Sequence, residues 1–89
     1  MNNQELLSIA EAHGSTLYVY DASKIKSQYQ RLSTAFSSIK QLKVNYAMKA
    51  LSNVSILTYL KSLGSGLDTV SLQEVQLGLH AGFPPERII

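Results

Sequence analysis

The chain has 89 residues, 45% of them hydrophobic, and a formal charge of +2 from eight basic and six acidic side chains. A chain of this size buries about 60–65% of its unfolded surface, enough for one small domain, whereas a closed α/β barrel takes roughly 250 residues. Cysteine is absent and the two histidines lack the spacing of a zinc site, which excludes disulfide frameworks and metal centres, while the scattered basic residues form no stripe for nucleic acid.

The opening Met1-Asn2-Asn3-Gln4-Glu5 carries neither a basic region nor an apolar stretch, so no signal peptide or membrane span is expected and the cytoplasm is the expected compartment. Leu6, Ile9, Ala10 and His13 recur at helical spacing and predict a first helix to about His13, with Gly14 as its left-handed end. Leu17-Tyr18-Val19-Tyr20 predicts a short β run. Asp21 or Ser23 can cap a second helix, with Ile25, Tyr29, Leu32, Phe36 and Ile39 as its apolar stripe.

From Leu42 to Lys49 apolar side chains alternate with small or polar ones, which predicts a β-strand ending at the lysine. Leu42, Val44, Tyr46 and Met48 take one face; Lys43, Asn45, Ala47 and Lys49 take the other, so Lys49 keeps small company and leaves room for a bound molecule. Ser52 or Asn53 caps the next helix, which turns Ile56, Leu57, Leu60 and Leu63 inward and stops at Gly64. Leu67-Asp68-Thr69-Val70 predicts another strand. Ser71 and Glu74 have capping-box spacing ahead of a helix carrying Leu72, Val75 and Leu79, which Gly82 ends. Pro84 to Ile89 reads as a loop followed by the first residues of a further strand.

From residue 22 onward helix and strand alternate, the pattern of an α/β fold with a parallel sheet and right-handed crossovers. Periodicity alone does not choose between an open doubly wound sheet and a closed barrel. The chain stops inside an element, which reads as the N-terminal part of a longer protein.

Lys49 has two readings. A lysine at a strand end can simply send its head group to water; aimed into a parallel barrel from the carboxyl end of a strand, it sits where such folds place reacting groups. Partial burial there would favour the neutral amine, the form that condenses with a carbonyl. Gly64-Ser65-Gly66 follows a helix and precedes a strand, the reverse of a nucleotide-binding glycine loop, so Gly64 as helix stop and Gly66 as turn residue is the expected reading. Asp68, between Leu67 and Val70, is expected to be partly buried with a partner, either a structural hydrogen bond or a site role. Capping accounts for Ser71 and Glu74, and helix-end positions account for His13 and His80. Tyr18, Tyr20 and Tyr29 fit core or interface positions.

Tyr46-Ala47-Met48-Lys49-Ala50, the run from Gly64 through Ser71 with Glu74, and Ala81 to Ile89 together resemble the diaminopimelate decarboxylase family, one of the alanine-racemase-like, fold-type III pyridoxal-phosphate enzymes. Leu17 to Asp21 resembles the stretch leading into that family's barrel, so the likeness covers nearly the whole chain. It departs at Thr16, where proline is frequent, and at Leu51, where asparagine is frequent.

The resemblance implies a (β/α)8 barrel, begun here by residues 23–89, preceded by a segment, residues 1–22, that pairs with a β-rich C-terminal domain. It implies that Lys49 holds pyridoxal 5'-phosphate as a Schiff base and that Asp68 and Glu74 line or buttress the cofactor pocket. The implied reaction converts meso-diaminopimelate to L-lysine and carbon dioxide in a homodimer, with the phosphate cradle, the partner of the pyridine nitrogen and second-subunit groups beyond Ile89. The chain alone is then expected to be inactive. Ornithine, arginine or carboxynorspermidine decarboxylases of the same fold, and a non-catalytic regulatory relative, are the alternatives. The run after Lys49-Ala50 is unlike that of alanine racemases.

Overall fold

The helix starts follow from short polar side chains placed to take unsatisfied backbone N–H groups. In a computed structural model covering residues 1–89, Asn2 caps α1 (Asn3–His13) by accepting from the Glu5 N–H at 2.8 Å, and the Glu5 carboxylate accepts in return from the Asn2 N–H at 3.3 Å. Asp21 caps α2 (Ala22–Ala35) through the Lys24 N–H, Asn53 caps α3 (Val54–Leu63) through the Ile56 N–H, and Ser71 caps α4 (Leu72–His80) through the Glu74 N–H. Gly64 ends α3 in the left-handed conformation at φ 105° and ψ 5°.

Two strands, β1 (Asn45–Ala47) and β2 (Gly66–Asp68), pair in parallel, with Asn45 opposite Gly66, Tyr46 opposite Leu67 and Ala47 opposite Asp68. On the far side of β2 the last residues begin a third strand: Ile88 bridges Leu67, the Ile89 N–H donates to the Leu67 carbonyl at 2.9 Å, and the Thr69 N–H donates to the Ile89 carbonyl at 2.8 Å. The spatial order therefore follows the chain order, as expected of consecutive β-α-β units.

Residues paired in register point to the same side of a sheet. Tyr46 and Leu67 face the helices, where Met48, Leu57, Leu67, Ala81 and Phe83 form the core and Tyr46, Val54, Leu77 and Ile88 pack around it. Asn45, Ala47, Gly66 and Asp68 take the opposite face. Helices α3 and α4 both supply the first face, so the sheet is covered on one side. Only 9 of the 89 residues are buried. The radius of gyration, 15.2 Å, exceeds the roughly 12 Å of a compact domain of this length.

Several sequence expectations change in the structure. Leu17 to Tyr20 is not a strand, because no segment lies alongside it to supply a ladder; Tyr18 is 89% exposed and Tyr20 50%. Helix α2 stops at Ala35 with Phe36 as its C-cap, and Leu32, Phe36 and Ile39 stay exposed. Gly14 follows α1 at φ 90° and ψ 170°, an extended conformation with positive φ rather than a left-handed helical one.

The inward face of α4 is also shifted from the predicted one. Leu72 and Leu79 are exposed, and the buried contact is made by Gly78, where a Cβ would stand 2.7 Å from Leu67 Cδ1. The missing side chain lets the helix settle directly on the β2 leucine, and that contact sets its rotation. Gly66 is not a turn residue but the first residue of β2. A Cβ there would stand 2.2 Å from Asn45 Oδ1 and 2.8 Å from the Arg87 carbonyl oxygen, so close approach of both flanking segments is what requires glycine.

Candidate active site

The predicted strand from Leu42 to Lys49 is much shorter in the structure. Pairing begins at Asn45 and ends at Ala47, and Met48–Ala50 forms a single 3-10 turn closed by the Leu51 N–H donating to the Met48 carbonyl at 3.1 Å. Lys49 therefore sits two residues past the strand, in the turn at its carboxyl end, and the two-residue periodicity no longer dictates where its side chain goes. Met48 is 1% exposed and locked in the core, whereas Lys49 and Ala50 are exposed. The expected partial burial of the lysine is not found. Its amine makes no ion pair or hydrogen bond within the chain.

A second tie closes the same turn. The Tyr46 hydroxyl donates to the Leu51 carbonyl at 2.7 Å, linking the middle of β1 to the residue that leaves the turn toward α3. Burial pushes this hydroxyl above its ordinary pKa of 10.0, the nearby Tyr20 adds to the rise, and a backbone contact with Leu51 offsets part of it. The sequence had marked Tyr46 only as a face residue of a strand; nothing in its spacing reveals that its ring reaches a carbonyl five residues on.

Asp68 is the last residue of β2, in register with Ala47, so it and Lys49 lie at the same end of neighbouring strands. Contrary to expectation Asp68 is exposed, and no ion pair joins it to the lysine. The reason is the one-sided cover of the sheet: the Asp68 face carries no helix. Glu74 is half-buried and fulfils its predicted capping function one residue off the simple pattern. Ser71 Oγ accepts from the Glu74 N–H at 3.2 Å, while the Glu74 carboxylate accepts from Val70, not Ser71, at 2.9 Å, so it braces the loop between β2 and α4. The structure thus gathers Lys49 and Asp68 at one end of the sheet and sets Glu74 behind the loop that follows.

Another contact escaped the sequence. Arg87, read only as a dispersed charge, donates a guanidinium hydrogen bond to the Ser65 carbonyl and lies 5.7 Å from the centroid of the Phe83 ring. Its partner is 22 residues upstream, beyond the reach of any local spacing argument. Ser65 itself is 1% exposed and bonds to the Gly66 carbonyl at 2.7 Å. The Gly64-Ser65-Gly66 run lies at the amino end of β2, away from Lys49, and its helix-to-strand position matches the reading that it is no phosphate loop.

The structure thus shows an α/β chain with an exposed, unpaired lysine in the turn at the carboxyl end of a parallel strand. The chain belongs to the pyridoxal-dependent decarboxylases: residues 22–89 match the family described as "Pyridoxal-dependent decarboxylase, pyridoxal binding domain". It is 40% identical over 86 residues to the diaminopimelate decarboxylase of Methanothermobacter thermautotrophicus, covering 96% of this chain and 20% of that protein. It is 42% identical over 88 residues to that of Helicobacter pylori strain J99, covering 99% of this chain and 21% of that protein. The crystal structure of the Helicobacter pylori diaminopimelate decarboxylase complexed with L-lysine superimposes with a TM-score of 0.82 at 42% identity, over 98% of this chain and 21% of that one. The chain therefore spans about one fifth of the length of these relatives.

Proposed function

We propose that this chain is the N-terminal part of a pyridoxal-phosphate-dependent decarboxylase that converts meso-diaminopimelate to L-lysine and carbon dioxide, with Lys49 as the residue that bonds the cofactor. One observation carries the reading: the exposed Lys49 amine, free of any partner, stands in a tight turn at the carboxyl end of β1. The residues present fit the group. An aldehyde needs an accessible, unpaired amine, and a flat ring needs a face lined by small side chains, here Ala47 and Ala50.

When bound, the cofactor supplies an electron-withdrawing ring that stabilises the charge left as the substrate's carboxylate departs. Lys49 would hold the group through its side-chain amine, which is exposed and unpaired. Asp68, in register with Ala47, offers a carboxylate at the same end of the sheet, and Glu74 holds the Val70 backbone so that the loop after β2 keeps its shape.

The opposite face of the sheet supports a barrel over a doubly wound sheet. A second helix layer would need apolar residues where this chain has Asn45, Ala47, Gly66 and Asp68. Residues 23–89 then begin a (β/α)8 barrel, and residues 1–22, with their exposed Leu17, Tyr18 and Tyr20, pack against a β-rich domain from later in the full-length parent. On the family resemblance we take that parent to be a cytoplasmic homodimer. Separately, no helix of this chain is long and apolar enough to cross a membrane.

Borohydride reduction of the full-length parent with pyridoxal phosphate, followed by peptide mapping, should place the label on Lys49. Label on another lysine, or none, refutes the assignment. Assayed with meso-diaminopimelate, ornithine and arginine, the parent should form lysine fastest; preference for ornithine or arginine would reassign the substrate, and no turnover on any of the three would point to a regulatory relative.

A further inference from the structure

We infer that Tyr46 is a positioning residue for Lys49: its hydroxyl bond to the Leu51 carbonyl holds the Met48–Ala50 turn closed, so that the lysine amine is presented in one orientation to an incoming aldehyde. The inference rests on the reading of Lys49 as the cofactor-bonding residue and adds to it a second side chain and a mechanical reason.

The turn is fixed at three points. Met48 is buried in the core and anchors its start. The Leu51 N–H returns to the Met48 carbonyl at 3.1 Å, and the Leu51 carbonyl receives the Tyr46 hydroxyl at 2.7 Å. Both backbone polar groups of Leu51 are thereby bound, each to a residue that precedes Lys49, so that the two bonds close the chain around it. Leu51 is extended, at φ −168° and ψ 122°, and two residues later Asn53 caps α3. Without the tyrosine bond, the stretch from Ala50 to Ser52 keeps the Leu51–Met48 backbone bond and the half-buried Leu51 side chain, while Ala50 and Ser52 are exposed. Lys49 lies between the buried Met48 and the tied Leu51 and takes its position from both.

Orientation matters for an amine that must attack an aldehyde carbon, because a near-attack geometry lost to a loose turn lowers the rate of bond formation without altering the amine itself. Burial raises the Tyr46 pKa and so favours the protonated hydroxyl, the form that donates this bond.

The test uses the full-length parent freed of cofactor. Tyr46→Phe keeps the ring and removes the hydroxyl; Ala50→Gly loosens the same turn from the other side and touches no core residue; Leu60→Ala is a packing control in α3 that removes no hydrogen bond of the turn. The readout is the rate of borohydride-trappable bond formation at Lys49, measured beside thermal unfolding. Loss of one hydrogen bond of this kind corresponds to roughly a fivefold slowing. Tyr46→Phe and Ala50→Gly should both slow trapping about that much while Leu60→Ala, though less stable, traps at the wild-type rate. If Tyr46→Phe does not fold, Ala50→Gly alone decides. An unchanged rate in the folded turn variants, or an equal slowing in Leu60→Ala, overturns the inference. Label absent from Lys49 in the wild-type protein defeats the underlying assignment instead, and peptide mapping separates the two failures.

Discussion

Gly66→Ala tests the way the sheet is built around the future site. The added Cβ meets two obstacles at once: Asn45 Oδ1 at 2.2 Å on the β1 side and the Arg87 carbonyl oxygen at 2.8 Å on the side of the third strand. Asn45 is exposed, and its side chain can rotate away at little cost. The Arg87 oxygen is backbone, and it belongs to the turn that leads directly into the Ile88 bridge, so it moves only if that strand moves. Against this stands the loss of freedom in the unfolded chain when glycine becomes alanine, which stabilises by about 0.4–1 kcal/mol. Overpacking of a tight contact costs about 1–3 kcal/mol. The net expectation is a loss of about 1.3 kcal/mol, concentrated where β2 meets the third strand. Hydrogen exchange on the full-length parent reads this directly, because the Thr69 and Ile89 amides donate across that junction. Both should exchange roughly 10-fold faster in the variant. Adding Asn45→Ala should recover only a minor part, since it clears the β1 obstacle and leaves the carbonyl. A Gly66→Ala protein with unchanged protection at Thr69 and Ile89, or full recovery by Asn45→Ala, would refute the reasoning.

Asn53→Ala removes the cap of α3 and should cost about 1 kcal/mol, read by denaturant unfolding and by faster exchange at the Ile56 amide, its hydrogen-bond partner at 3.2 Å. Tyr46 gives a pH dependence of known sign: its folded pKa lies above the unfolded value near 10.0, so the stabilisation is fully present below about pH 10 and is lost as pH rises through the folded value. Tyr46→Phe should therefore lose less stability than the wild type as the pH rises above about 10, and parallel curves would contradict this. The 89-residue chain by itself, with its radius of gyration of 15.2 Å, should unfold broadly and self-associate, as monitored by circular dichroism and sedimentation; a sharp monomeric transition would count against it.

The helix boundaries were the most legible part of the fold. Asp21, Asn53 and Ser71 cap because short polar side chains act on donors two or three residues away, a distance the sequence displays. Gly64 stops its helix for an equally local reason. What failed was whatever depends on a partner elsewhere in the chain. Leu17 to Tyr20 has strand composition but no neighbour to pair with, and β propensity is expressed only against a partner. The face of α4 was misjudged because the deciding residue, Gly78, contributes by having no side chain.

The candidate site divides the same way. Lys49 was legible from the alternation before it, although the strand ends two residues earlier and the lysine's exposure depends on a turn. Glu74 was legible as a helix-start acid, but its bond to the Val70 N–H was not. Asp68 was placed on a strand correctly and buried wrongly, since its flanking apolar residues belong to the other face or lie beyond the strand. The contacts that define the environment, Tyr46 to Leu51 and Arg87 to Ser65, join positions whose proximity is created by the fold.

The two faces of this short sheet are built for different neighbours, and that difference links the fold to the proposed chemistry. The helix side carries Tyr46 and Leu67 over a core of Met48, Leu57 and Phe83. A parallel sheet sandwiched between two helix layers would repeat such residues on its other side. Asn45, Ala47, Gly66 and Asp68 cannot serve that purpose: they offer little apolar area, and a helix laid over them would bury a carboxylate and an amide without partners, each at a cost of about 1–3 kcal/mol or more. The same four residues suit the inside of a ring of strands, where polar groups meet one another, water or a polar ligand. In the proposed barrel, the turn that sets an unpaired amine at the carboxyl end of this sheet would lie at the mouth of the ring of strands, on the side that the one-sided packing leaves without a helix layer.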